Sequence, residues 1–162
     1  MLFDVHHRRL YGLARRLSAS ADDARDLVQE TYLRAAQAMA SVPDDAARQE
    51  AWLVRVLINV CRDGWRRSAV RRRLDPVHAA DTVTRPGSDQ ETALVARSTV
   101  WRALGTLAPR RRAIIVLYEL EGSRIADIAT LLGVSPVTVR WHLSRGRREL
   151  AEMIRANSRK GR

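Results

Sequence analysis

Wherever a pattern can be read along this chain, apolar positions recur at helical spacing. Over residues 2–17, Leu10, Leu13, Ala14 and Leu17 share one face, with Arg8, Arg9, Arg15 and Arg16 off it. Ser18 to Ala21 interrupts the pattern. Ser20 or Asp22 then caps a second helix, running to about Ala40, with Asp22 and Asp23 at its positive end. Its small or apolar face is Ala24, Leu27, Val28, Thr31 and Ala35; Asp26, Gln29, Glu30 and Arg34 point away. Residues 41–49, SVPDDAARQ, are polar and hold Pro43, which reads as a loop leading into a helical turn. A third helix is expected from about Glu50 to Arg73, with Leu53, Val56, Leu57 and Val60 inward and Trp52 at its start. Its other side carries Arg55, Asn59, Arg62, Arg66 and Arg67. From Leu74 to Asp89 the periodicity fails: two prolines, one glycine and no apolar stripe mark a linker. Helical spacing returns from about Gln90 to Leu107, with Leu94, Val95, Val100, Trp101 and Leu104 as core. Pro109 opens a further helix to Leu120, whose apolar side is Ile114, Ile115, Leu117 and Tyr118.

The densest signal lies from Arg124 to Leu150. Ile125, Ile128, Ala129 and Leu132 fall at i, i+3, i+4 and i+7. Gly133 ends that helix, Ser135 caps the next and Pro136 occupies its first position, where a missing N–H costs nothing. Val139, Leu143, Leu150 and Ile154 rebuild an apolar stripe, leaving Arg140, Trp141, Ser144, Arg145 and Arg148 on another face. Residues 156–162 are expected to fray. Two helices around a three-residue turn, the second with a basic outer face, are the arrangement that enters a DNA major groove. The competing reading is an αα-hairpin with solvated arginines. The expected fold is all-α: two small helical domains (residues 1–73 and 93–162) joined by a flexible linker (74–92), the C-terminal one containing a helix-turn-helix.

Charge sharpens this picture. The 162 residues carry a net charge of +11, which favours a polyanionic partner. Residues 1–70 hold 11 arginines against 9 acids, whereas residues 93–162 hold 14 basic residues against 5 acids. Electrostatic affinity for DNA is thus concentrated in the C-terminal part. The nearly neutral N-terminal part suits two different partners, one of them a protein. All basic residues but Lys160 are arginines, which suit bidentate phosphate and guanine contacts; a GC-rich genome produces the same bias. The single cysteine, Cys61, forms no internal disulfide and reads as a buried small apolar residue. No His/Cys cluster has metal-ligand spacing, so no metal and no cofactor are expected. No clustered carboxylates or activated nucleophile suggest an enzyme. No apolar run is long enough for membrane insertion, and a cytoplasmic protein is expected.

Three stretches match one family in order. DARDLVQETYLRA (Asp23 to Ala35) resembles the core-polymerase-binding helix of bacterial sigma factors. WLVRVLINVCRDGWRR (Trp52 to Arg67) resembles the promoter-reading helix of the same domain. ELEGSRIADIATLLGVSPVTVRWHLSRGRREL (Glu119 to Leu150) resembles the C-terminal sigma helix-turn-helix. The chain as a whole is similar to group-four, extracytoplasmic-function sigma factors of bacterial RNA polymerase.

The resemblance implies a non-enzymatic subunit that binds core RNA polymerase, recognises the −10 and −35 promoter elements and directs transcription initiation. Asp26, Gln29, Glu30 and Leu33 would meet the β′ clamp helices. Arg55, Asn59, Arg62 and Arg66 would read the −10 element, with a flipped base held near residues 41–50. Thr138, Arg140, Trp141, Ser144, Arg145 and Arg148 would contact the −35 element, while the C-terminal domain also meets the β flap. It further implies an anti-sigma factor, and nucleoid association within the holoenzyme. A helix-turn-helix regulator acting on duplex DNA without polymerase is the alternative. The chain departs from the family at Trp141, where Ser is usual, and at Gly146, where Ala is usual. Arg25 replaces Glu, Ile58 replaces Arg, and the 41–50 loop lacks the usual aromatic residues. The Trp141 indole can stack on a sugar, press a thymine methyl or pack on the polymerase flap.

Overall fold

A computed structural model describes residues 2–74 and 93–160, which are helical almost throughout. Of the linker expected over 74–92, Leu74 ends α3 and residues 75–92 lie outside the described residues, as do the side chains of Arg71, Arg72, Arg73, Leu94 and Val95. The chain divides into two compact units. The first holds α1 (Leu2–Leu17), α2 (Ala21–Gln37), a single 3-10 turn (Met39–Ser41) and α3 (Ala46–Leu74). The second holds α4 (Ala93–Thr106), α5 (Pro109–Ile115, continued by a π-helical turn Val116–Leu120), α6 (Ile125–Leu132) and α7 (Pro136–Lys160).

In the first unit the three helices pack against one another pairwise. Leu10, Leu13 and Ala14 of α1, Ala24, Thr31 and Ala35 of α2, and Leu53, Leu57 and Ile58 of α3 have no exposed surface. Ser20, the actual N-cap of α2, accepts from the Asp23 N–H at 3.0 Å. Buried Thr31 satisfies its hydroxyl on the Leu27 carbonyl at 2.6 Å. Arg34 bridges α2 to α3, donating to Asp63 at 2.6 Å and to Glu30 at 2.9 Å.

In the second unit α7 packs against α4, α5 and α6. The core is Ala103, Leu104 and Leu107, then Ala113 to Leu117, then Ile128, Ala129 and Leu132, then Val139 and Leu143. Arg112 is buried, and its Nη2 donates to the Gly105 carbonyl at 2.6 Å. A cation thereby meets the orphan carbonyls and negative end of α4. Where a regular helix was expected through Leu120, α5 widens: the Glu121 N–H reaches Val116 five residues back, and the Ser123 N–H reaches Leu117. Gly122, at φ +65°, releases the chain from that turn.

Several expectations change. Val100 and Ile154 are exposed rather than core. Among the described side chains of α4, the first fully buried one is Ala103, one turn after Val100. Burial on α7 declines from Leu143 and Gly146 through half-buried Leu150 and Met153 to Ile154. Trp52, Trp65 and Trp101 are half-buried, their large rings reaching the rim rather than the centre of the core. Helix α2 stops three residues before Ala40, α3 starts four residues before Glu50, and α7 continues through Lys160.

Candidate nucleic-acid and protein interfaces

The helix-turn-helix is built by its local chemistry. Gly133 adopts φ +64°, ψ +43°. The Val134 N–H bonds the Ala129 carbonyl at 3.0 Å and the Gly133 N–H bonds Thr130 at 3.3 Å, a Schellman closure. Ser135 Oγ then accepts from the Thr138 N–H at 3.1 Å and lies 2.9 Å from Thr138 Oγ1. Thr138 is thus half-buried and engaged in the cap. Buried Val139 and Leu143 turn the rest of the first α7 turns outward, so Arg140, Trp141, Ser144, Arg145 and Arg148 are all exposed. Val137, 70% exposed, joins that face and was not picked out from the sequence.

Trp141 does not stand alone on this surface. The guanidinium carbons of Arg111 and Arg145 each lie 5.7 Å from its ring centroid. The His142 ring meets it edge-on at 4.8 Å. Burial, then the charges of Arg111 and Arg110, push the His142 imidazole below its ordinary pKa, so it is neutral at pH 7. Arg140 and Arg148 carry no ion pair among the described residues, whereas Arg124 is tied to Asp127 and Arg147 to Glu119 at 2.6 Å. Arg147 also lies over the Tyr118 ring, at 5.5 Å.

Gly146 is buried where α7 crosses α5. A Cβ built there meets Ile115 Cδ1 and Cγ1 at 3.0 Å and Arg111 Cγ at 3.1 Å. The glycine costs the helix up to about 1 kcal/mol relative to Ala. The close helix approach explains why it stands there.

On α3, Arg55 and Arg66 are exposed and Arg62 is half-buried. Asn59, expected outside, is also half-buried, and its amide makes no hydrogen bond among the described residues. Ile58, at the position where the family pattern has Arg, is fully buried. Cys61 is buried too, and desolvation pushes its thiol up to about 12. The loop before α3 is organised by Gln49, whose side chain donates to the Pro43 carbonyl at 2.9 Å.

On α2, Asp26, Gln29 and Leu33 are exposed, while Glu30 is half-buried and paired with Arg34. Gln29 and Leu33 also line a largely apolar groove of ≈560 Å³ with Arg25, Val28 and Tyr32 of α2 and His7 and Tyr11 of α1. The His7 ring stacks on Tyr11, with centroids 6.1 Å apart, and its Nδ1 lies 3.1 Å from the Tyr32 hydroxyl. Burial and the Asp4 charge raise the Tyr32 phenol, keeping it protonated. This aromatic wall was missed; the His7–Tyr11 spacing of i, i+4 was its one sequence signal.

Among the described residues no His, Cys, Asp and Glu side chains gather as a metal site, and no helix is long and apolar enough to cross a membrane.

Comparison with known proteins accounts for both units. Residues 2–71 match the model of Sigma-70 region 2, and residues 97–150 match that of Sigma-70, region 4. The chain is 35% identical over 153 residues to the ECF RNA polymerase sigma factor SigM of Mycobacterium tuberculosis, covering 94% of this chain and 75% of that protein. With the ECF RNA polymerase sigma factor SigL of the same species, identity is 34% over 142 residues, 88% of this chain and 80% of that one. Among solved structures, the sigma factor RpoE of Bartonella quintana, in complex with the anti-sigma factor NepR, aligns with a TM-score of 0.70 at 26% identity, covering 94% of each chain. CnrH, in complex with the cytosolic domain of CnrY, aligns at 0.60 and 26% identity over 96% of this chain and 86% of that one.

Proposed function

The chain belongs to the extracytoplasmic-function sigma factors, and from that premise we propose how its surfaces divide the work. It is a sigma factor that binds core RNA polymerase, recognises promoter elements and directs transcription initiation. The observation that carries this is the pairing, in one chain and in order, of region 2 on α1–α3 and region 4 on α4–α7. A helix-turn-helix regulator acting without polymerase has no use for the first, so that alternative is not favoured.

The exposed face of α2, with Asp26, Gln29, Glu30 and Leu33, docks on the β′ clamp helices. The adjoining aromatic groove supports this: it supplies the apolar centre that a protein interface needs, rimmed by those polar groups. Arg55, Asn59, Arg62 and Arg66 of α3 face the −10 element. Asn59 supports the assignment, since its half-buried amide, without a partner among the described residues, is free to hydrogen-bond a base edge. Arg140, Trp141, Ser144, Arg145 and Arg148 of α7 face the −35 element, with Thr138 holding the helix start. Domain four also meets the β flap, and residues 75–92 serve as the connection between the two domains. Strand opening draws on binding energy spent on a flipped base, and RNA synthesis belongs to the polymerase; the chain itself catalyses nothing. An anti-sigma factor holds it inactive; the structural neighbour RpoE, in complex with the anti-sigma factor NepR, supports this. It works in the cytoplasm, on the nucleoid when in holoenzyme.

Reconstitution tests this. The chain added to core polymerase is expected to form holoenzyme and initiate at a cognate promoter. Failure to assemble, with retained duplex binding, would overturn it. Asp26→Ala is expected to weaken assembly without altering the duplex DNA affinity of the full chain. Arg145→Ala is expected to relax −35 specificity by about 1–3 kcal/mol, while a loss equal across all sequences would make it a phosphate contact.

A further inference from the structure

We infer that Arg111 of α5 and Glu149 of α7 are positioning residues that fix how Arg145 and Trp141 meet DNA, and thereby set base preference within the −35 element. The inference rests on the assignment of α7 to that element. Arg111 Nη1 donates to both Glu149 carboxylate oxygens, at 2.7 and 2.6 Å. Glu149 Oε1 also accepts from Arg145 Nε at 3.2 Å. One carboxylate therefore ties a guanidinium from α5 to a guanidinium on the exposed face of α7. Glu149 lies below the usual carboxylate range despite its partial burial, because both arginines hydrogen-bond to it.

The geometry of the tie matters. Arg145 is held side-on, through Nε. Its two terminal nitrogens have no hydrogen-bond partner among the described residues, and they are the fork that matches guanine O6 and N7. Both guanidinium groups also lie against the Trp141 ring, so the indole is kept in place by the groups that the carboxylate orients. A side chain whose rotamer is already fixed loses less freedom on binding and discriminates better between bases. Arg111 and Glu149 carry opposite charges and add nothing net to the surface. Arg111→Gln and Glu149→Gln change the local charge in opposite directions yet both break the tie, so a shared loss of base preference separates this role from that of a phosphate contact.

The test uses holoenzyme reconstituted with the full chain, on a promoter library randomised through the −35 element, at several salt concentrations. Arg111→Gln and Glu149→Gln are each expected to flatten base preference by about 3- to 10-fold at the positions that Arg145→Ala flattens, part of what a bidentate contact supplies. The double variant Arg111→Gln/Arg145→Ala should be no flatter than Arg145→Ala alone at the positions that Arg145 reads, and Glu149→Gln should not make the salt slope shallower. Arg111→Lys, which keeps the charge but not the planar guanidinium against Trp141, should restore preference only in part. Additivity in the double variant at the positions Arg145 reads, or a base preference left intact by Glu149→Gln, would overturn the inference. If Arg145→Ala and Trp141→Ala leave every −35 preference intact, the assignment of α7 itself fails, and the inference with it. Glu149→Gln keeps the side chain's shape and carries the test if Arg111→Gln folds poorly.

Discussion

Gly146→Ala is the substitution that the family pattern invites and the packing opposes. In an isolated helix it gains up to about 1 kcal/mol, because Ala restricts the unfolded chain and suits the helix better than Gly. Here the new Cβ sits 3.0 Å from two carbons of buried Ile115 and 3.1 Å from Arg111 Cγ. Ordinary carbon contacts lie at about 3.5–4.0 Å, so Ile115 and Arg111 must give by a few tenths of an ångström in a packed crossing, at about 1–3 kcal/mol. The net expectation is a loss of about 1 kcal/mol. Native-state hydrogen exchange of the α5 and α7 amides reads this directly, as about fivefold faster exchange at the slowest sites. Ile115→Val alone costs about 0.5–1.5 kcal/mol by deleting Cδ1. That atom is one of the three in the way, so the double variant should be more stable than the sum of the singles by at least about 0.5 kcal/mol. Gly146→Ala gaining its full helical increment, with an additive double variant, would refute the argument that the glycine is a contact residue.

Three further outcomes are expected. Gly133→Ala should cost about 1–2 kcal/mol, since φ is +64° there, and Gly133→Asn less; thermal unfolding of the two variants gives the order. Asp63 is held below the ordinary carboxylate range chiefly by its hydrogen bond from Arg34. Its contribution is present above the unfolded value of about 3.9 and is lost as pH falls through the folded one. The pair is a third exposed, so Asp63→Asn should cost under about 1 kcal/mol at pH 7, with the deficit in urea midpoint disappearing in acid; a deficit constant with pH would refute this. Cys61, its thiol pushed up to about 12, should resist alkylation at pH 7.5 until denaturant is added, and labelling of the folded protein at the rate of a free thiol would show the site to be open.

Helix existence and the turn chemistry were legible because local rules suffice for them. Gly133, Ser135 and Pro136 state a turn whatever surrounds them. Ends and exposures were less legible because neighbours decide them. Val100 and Ile154 satisfy the periodicity, yet both are exposed. Ile58 carries no local sign of full burial; α1 and α2 supply it. The π-helical turn after Ile115 has no periodic signature, only Gly122 beyond it. In the candidate interfaces, single residues were readable by type and face, but their partnerships were not. Arg111 and Glu149 stand 38 positions apart in the chain, and their pairing exists only once α5 crosses α7. Trp141, odd against the family pattern, finds its setting in that same crossing.

The Gly146 crossing and the Ser135 cap together make α7 a beam on two supports. Ser135 and Gly146 are about 16 Å apart along the helix axis, at about 1.5 Å per residue. Every α7 residue assigned to the −35 element except Arg148 lies on the span between them, where neither end is free to swing. Beyond Gly146 the helix is still held, by the Arg111–Glu149 tie and by half-buried Leu150 and Met153, and then runs on as an overhang of about 10 Å to Lys160. A load applied to that overhang, by a bound protein or by changes in the helix, bends the far end first and reaches the span only after levering Gly146 off Ile115. The helix can therefore take up attachments at its tail while its reading segment keeps its pitch against the groove.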